Sequence, residues 1–295
     1  MKIAVIGGGA VGLLVSSYLA RVSEVTLYVR RLDQKRLIDK NGLVLKRAEE
    51  SITNRLNVEL FNESLIDAHY IFIAVKQYDL HIIMNKLMGI IKEDQTVIFL
   101  QNGMEHLKYI KALPFHTIHF GVVEHGALKV NDFTVLHTGV GTIKLASNDE
   151  KIKKIDDLLL LSSENFPILK EENFYEMMSK KLIVNAVVNP ITSILKIENG
   201  KLSENVYYKQ LVNEIIEEIC LILSLDKEEM VKYVFQVIEQ TYKNRSSMLK
   251  DLENSRKTEV DAILGFLLDE AKKKSFPCKQ INLLYLLVKG LEAEV

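Results

Sequence analysis

Short, unbroken apolar runs dominate the first half of the chain. A strand is expected at 25–29, while segments 2–6, 70–75 and 96–100 are rich in Ile, Val and Phe and show little polar alternation. This predicts strands buried on both faces of a parallel sheet. Leu13 to Arg21 carries helical apolar spacing instead. Asn41-Gly42 has the composition of a hairpin turn ahead of a strand at 43–45. Between 117 and 145 the pattern is strand-like, punctuated by Gly121, Gly126, Gly139 and Gly141, and predicts antiparallel additions to the sheet. A charged helix over 149–162 and a short strand at 167–169 are expected to follow. From residue 171 the period changes to that of helices, predicted over 171–189, 203–224, 226–243, 259–273 and 279–292. Pro190 and Pro277 are read as breaks.

The first strand runs straight into Gly7-Gly8-Gly9-Ala10-Val11-Gly12, and the helical segment follows at once. A G-x-G-x-x-G pattern between a strand and a helix is a dinucleotide-binding signature. Gly7 permits the tight turn, Gly9 lets the backbone approach a pyrophosphate, and Gly12 lets helix and strand pack closely. The free N–H groups and dipole of the helix then face the phosphates. The expected fold is therefore α/β: a Rossmann-type dinucleotide-binding sheet over 1–169, followed by an all-α C-terminal domain over 170–295.

About 20 residues past the glycines, NAD-binding chains place an acid for the ribose 2′-hydroxyl. Here the second strand ends in Arg30-Arg31, with Lys35 and Arg36 close behind. A guanidinium grips a 2′-phosphate through paired hydrogen bonds, where a carboxylate would repel it. NADP(H) is the expected cofactor, with Arg30, nearest the strand end, as the contact. The alternative is a solvated basic turn. Lys76 and Asn102 fall at the ends of two further strands, the edge where open α/β sheets bind ligands.

Near the middle, Lys181, Asn185 and Asn189 recur at intervals of four among Leu, Ile, Val and Ala. That spacing puts one amine and two amides on a single helical stripe. Polar groups on a buried helix cost free energy unless something satisfies them. Either Lys181 reaches water and the amides bond to neighbouring helices, or the stripe faces a polar substrate. Ser246-Ser247 and Glu259 form a second polar group. A serine pair between helices commonly serves as a cap, and an acid opening a helix is favoured by the dipole.

Charge removes several classes. Lys and Arg number 38 against 39 Asp and Glu, for a net charge of -1, which argues against nucleic acid or an anionic membrane as partner. No apolar run approaches the ~18 residues of a membrane span, and the start lacks the layout of a signal peptide. Cys220 and Cys278 lack metal or redox spacing, so no metal is expected. Together these suggest a cytoplasmic enzyme acting on a small molecule. The apolar face of 279–292 is compatible with internal packing or with a homodimer.

The residues also resemble a known family. Lys181-Leu-x-x-Asn185-x-x-x-Asn189-Pro190, Asn199-Gly200, Ser246-Ser247-Met248-x-x-Asp251 and Thr258-Glu259-x-Asp261-x-x-x-Gly265 look like ketopantoate reductase (2-dehydropantoate 2-reductase). The glycine loop, Lys76, Gln101-Asn102-Gly103-Met104 and His125-Gly126 fit the same pattern, and the likeness runs from Met1 to about Lys274. It implies NADPH-dependent reduction of ketopantoate to pantoate, in pantothenate biosynthesis, with Lys181 as general acid. It implies substrate contacts at Asn102, Lys181, Asn185, Asn189, Asn199 and Ser247. Cofactor contacts are implied at Gly7, Gly8, Gly9, Ala10, Val11, Gly12, Arg30, Lys76, Asn102, Ala127 and Glu259. The chain departs from the family's pattern at Ser179, where a tryptophan is frequent, at Glu105, and in having Lys180 beside Lys181. The alternatives are a related NADP-dependent reductase of another 2-keto acid and a non-catalytic NADP(H)-sensing module.

Overall fold

A computed structural model describes residues 1–62, 66–107, 118–147 and 155–294. The expected charged helix at 149–162 therefore lies partly outside the described residues. The chain forms two compact units, one comprising Met1–Gln101 with Leu107–Met177, the other Asn102–His106 with Met178–Val295.

The first unit is built on an eight-stranded sheet. Its centre is β1 (Lys2–Ile6), parallel to β2 (Glu24–Val29) on one side and β6 (Tyr70–Ile73) on the other. From β6 the sheet continues in parallel through β7 (Thr96–Phe99) and β8 (Ile118–Val123), and β5 (Asn57–Leu60) extends it beyond β2. β11 (Ile143–Ser147) runs antiparallel to β8, with β12 (Ile168–Lys170) parallel to it at the edge. The apolar runs bury nearly every residue of β1, β6 and β7, as strands covered on both faces require. Because the chain leaves β1 for β2 and later returns to β6 on the other flank, β1 is the switch point of the sheet. Ligands of such sheets bind at the carboxyl ends of the strands there.

Helices α1 (Ala10–Leu19), α2 (Leu32–Asn41) and α3 (Gln77–Leu87) link these strands. Asn41-Gly42 is not a hairpin turn. Asn41 is the last residue of α2, and Gly42, at φ 77°, accepts the positive dihedral that ends it. The hairpin lies one step later, between β3 (Leu43–Arg47) and β4 (Glu50–Asn54). Nor do all the glycine-punctuated strands join the main sheet. β9 (Gly126–Asn131) and β10 (Thr134–Gly139) form a separate four-stranded sheet, in the order β4-β3-β10-β9. The parallel pairing of β3 with β10 spans some ninety residues, which a local pattern cannot encode. A short helix α4 (Asp156–Leu159) precedes β12.

The second unit is helical. α5 (Phe174–Leu195) runs straight through Pro190, contrary to the expected break. Proline removes one backbone donor, but burial of residues 185–193 holds the helix together. Two residues on, the hydroxyl of Thr192 donates to the carbonyl of Val188 at 2.7 Å. The predicted helix at 203–224 is two: α6 (Lys201–Glu204) and α7 (Val206–Leu223), parted where the Asn205 side chain caps the N–H groups of Tyr207 and Tyr208. α8 (Lys227–Gln240) starts on the Asp226 cap, which accepts from Glu229 N at 2.7 Å. α9 (Ser247–Glu253) occupies what reads as a loop. Asp261–Gly265 is a π-helical turn continuing into α10 (Phe266–Lys273), and α11 (Lys279–Ala293) packs on α7. Among the described residues no helix is long and apolar enough to cross a membrane.

Candidate active site

In the first unit the loop edge is organised around the glycines. A methyl group on Gly12 would lie 1.8 Å from the Gly7 carbonyl oxygen, and one on Gly7 would meet the Ala74 backbone at 2.8 Å. Both positions exclude any side chain. Gly9 differs: a methyl there would meet nothing within 4 Å. That open face is where a pyrophosphate would lie against the backbone. Gly9 is the N-cap residue of α1, which has no side-chain cap and no acid in its first turn, so its leading N–H groups remain open to an anion. The residues present therefore fit a dinucleotide phosphate.

Two residues that sequence reasoning missed hold this loop. Gln34 of α2 donates to the Gly8 carbonyl at 2.9 Å and to the Asp132 carbonyl at 3.0 Å. Lys129 of β9 donates to the same Gly8 carbonyl at 3.0 Å and pairs with the Asp132 carboxylate at 2.8 Å, which Arg31 also engages. Burial pushes the Asp132 carboxyl up, but the hydrogen bonds and charges of Lys129 and Arg31 together outweigh it and hold the group below the usual range. Only the tertiary return of β9, which also carries Ala127, brings these groups to the glycines. Arg30 follows β2 and pairs with Asp79 of α3 at 3.3 Å. Lys76 is the N-cap residue of α3. Gln101 donates to the Ile73 and Val75 carbonyls at 2.8 and 3.2 Å, fixing the strand end that leads to Lys76.

The second unit gathers the remaining candidates. Lys181, Asn185 and Asn189 lie on α5, with the amides only 8% and 7% exposed and the lysine half-buried. Lys180 is drawn to a different neighbour: its ammonium pairs with Glu229 of α8 at 3.0 Å and lies over the Tyr233 ring. Asn199 is buried. Its amide donates to the Thr241 hydroxyl at 3.0 Å, and its backbone N–H donates to the Asn244 carbonyl at 2.9 Å. Its side-chain oxygen has no partner among the described residues. A buried acceptor of this kind is costly unless a ligand or water fills it.

Ser246 serves as the cap of α9, accepting from Leu249 N at 3.2 Å, and its hydroxyl lies 2.8 Å from that of Thr192. Thr192 lies nearly one turn beyond Asn189, so the start of α9, and with it exposed Ser247, is docked beside the stripe. Asn102 donates to Glu259 at 3.0 Å. Glu259 lies two residues before the π-turn, a helix form frequent at functional sites. Thr258 anchors it, donating through both N–H and hydroxyl to Glu292 at 2.7 and 2.6 Å. Glu292 carried no signal in the sequence beyond its place on an amphipathic helix.

Comparison with known proteins gives a consistent result. Residues 3–150 match the family described as "Ketopantoate reductase PanE/ApbA", and residues 173–292 match "Ketopantoate reductase PanE/ApbA C terminal". The chain is 37% identical over 295 residues to the 2-dehydropantoate 2-reductase of Bacillus subtilis (strain 168), covering 99% of this chain and 98% of that protein. The crystal structure of a probable 2-dehydropantoate 2-reductase from Bacillus subtilis aligns with TM-score 0.90 at 36% identity, over 99% of this chain and all of that one. D-mandelate dehydrogenase, solved with NADH and anilino(oxo)acetate, aligns with TM-score 0.91 at 24% identity, over 100% of this chain and 99% of that one. The second likeness is one of fold.

Proposed function

The chain belongs to the ketopantoate reductase family and is an oxidoreductase acting on a CH–OH group, and from that premise we propose that it reduces 2-dehydropantoate to pantoate with NADPH, in the route to pantothenate. Residues 1–169 would serve as the cofactor-binding domain and 170–295 as the substrate-binding domain. The observation that carries the reading is the α5 stripe: one ammonium and two buried amides, four residues apart, with only apolar residues between them.

NADPH, when bound, supplies the hydride to the C2 carbonyl carbon. The chain's own residues do the rest. Gly7 to Gly12 and the first turn of α1 hold the pyrophosphate, Arg30 meets the 2′-phosphate, and Lys76, Ala127 and Glu259 complete the cofactor contacts. Lys181 hydrogen-bonds the keto oxygen, stabilises the negative charge that develops there and then transfers a proton to it. Asn185, Asn189, Asn199, Ser247 and Asn102 orient the substrate. The unpartnered oxygen of Asn199 supports such a role, since it can accept from a substrate hydroxyl. Between the adjacent lysines, the interval of four that aligns Lys181 with Asn185 and Asn189 favours Lys181 as the acid.

The test is NADPH oxidation in the presence of ketopantoate and, separately, of other 2-keto acids. Ketopantoate should give the highest kcat/KM. A clear preference for a different keto acid would replace the substrate while keeping the chemistry. NADPH binding without turnover of any of them would leave a sensing module in place of an enzyme.

A further inference from the structure

Arg30, the residue read as gripping the 2′-phosphate, is already paired with an acid. Its Nη1 lies 3.3 Å from Oδ2 of Asp79, with the arginine side chain 76% exposed and that of the aspartate 31%. The pairing follows from the sheet order. β2 and β6 flank β1, so the residue that follows β2 and the helix that follows β6 emerge on the same edge. Asp79 stands in the first turn of that helix, three residues after its N-cap Lys76.

We propose that Asp79 is a specificity-determining residue that narrows the preference for a 2′-phosphorylated cofactor over its 2′-hydroxyl counterpart. The inference rests on the reading of Arg30 as the 2′-phosphate contact. A phosphate monoester brings a charge of about −1.5 to −2. Docked on the Arg30 guanidinium, it approaches the Asp79 carboxylate and is repelled, because like charges at short range disfavour one another. The same carboxylate accepts a hydrogen bond from a ribose hydroxyl. Arg30 and Asp79 thus pull in opposite directions: the guanidinium favours NADPH, and the carboxylate offsets part of that gain and favours NADH. An acid in a first helical turn also stabilises the helix through its dipole, but that contribution is the same for both cofactors. The ratio of the two affinities therefore isolates the effect.

The experiment measures dissociation constants of NADPH and NADH for the full chain by calorimetric titration, for the native sequence, Asp79→Asn and Arg30→Ala. Asp79→Asn should tighten NADPH by about fivefold, the upper range for an exposed charge pair. It should leave NADH unchanged or weaker, so that the ratio rises, and less so in high salt. A fall in NADPH affinity, or an unchanged ratio, overturns the inference. In the first case Asp79 orients Arg30 for the phosphate instead of opposing it. Arg30→Ala tests the underlying reading separately: NADPH should lose affinity and NADH should not. Equal losses of both would discard the role of Arg30, whatever Asp79→Asn shows. Both cofactors titrate the same folded fraction, so a partly unfolded variant still gives a valid ratio.

Discussion

Asn102 and Glu259, 157 residues apart in sequence, are joined by a hydrogen bond of 3.0 Å in which the amide donates to the carboxylate. Glu259 is buried, so the bond fixes a charged acceptor in surroundings poor in water. Asn102→Ala should destabilise the protein by about 1.5–3 kcal/mol, the range for a hydrogen bond to a charged group. Asn102→Ala and Glu259→Gln together should cost less than the sum of the single changes. Urea unfolding of the four proteins checks this, and strict additivity would mean that the two side chains act independently.

The two adjacent lysines separate by function. Lys181→Ala should lower kcat by about 10²-fold or more, as expected for loss of a general acid, with NADPH affinity nearly unchanged. Lys180→Ala removes a partly exposed pair with Glu229 and should cost no more than about 1 kcal/mol of stability. It should leave kcat within about twofold of the native value, far short of the loss assigned to a general acid. Steady-state kinetics with ketopantoate compares them directly. Equal losses of kcat would remove the assignment of the acid to Lys181.

Two glycines of one loop should fail in different ways. Gly12→Ala forces a methyl against the Gly7 carbonyl, 1.8 Å away, and should destabilise the fold by about 1–3 kcal/mol or more. Gly9 has φ −84° and ψ −175°, which alanine adopts freely, and space for the added methyl. Gly9→Ala should therefore leave stability within about 0.5 kcal/mol. It should weaken NADPH, because the methyl occupies the face that a pyrophosphate would approach. Thermal unfolding and cofactor titration, run on both variants, give the two readouts.

Buried histidines make stability depend on pH, three of them most strongly. Burial alone holds His106 down to about 3. Burial, aided by Lys170, holds His119 down to about 4, and burial with His137 nearby does the same for His125. All three are neutral in the folded protein, while the unfolded chain takes up protons below about 6.5. Their contribution is complete above about pH 6.5 and is lost as pH falls toward 4 and then 3. Each group adds a slope of up to about 1.4 kcal/mol per pH unit in that window. The urea midpoint should fall from pH 7 to pH 5, and His119→Phe should flatten the fall by roughly one proton's worth. A midpoint independent of pH over that range would mean the rings are not held neutral.

Local pattern was enough for much of this protein. The unbroken apolar runs specified β1, β6 and β7, because strands buried on both faces tolerate few polar residues. The glycine loop was legible because two of its constraints lie within six residues: a dihedral only glycine accepts at Gly7 and, at Gly12, a carbonyl that leaves no room for a methyl. The interval of four that aligns Lys181, Asn185 and Asn189 is likewise a property of one helix. What the tertiary structure alone decided depends on residues far apart in the chain. Pro190 reads as a helix break, yet burial of the helix around it outweighs one missing hydrogen bond. Asn41-Gly42 reads as a hairpin, yet the chain before it is helical and uses the glycine to stop. The pairing of β3 with β10, the grip of Gln34 and Lys129 on Gly8, and the meeting of Arg30 with Asp79 are set by the order of strands in the sheets. Periodicity reports which face of an element is buried. Which distant element covers that face is determined only when the strands pair and the helices pack.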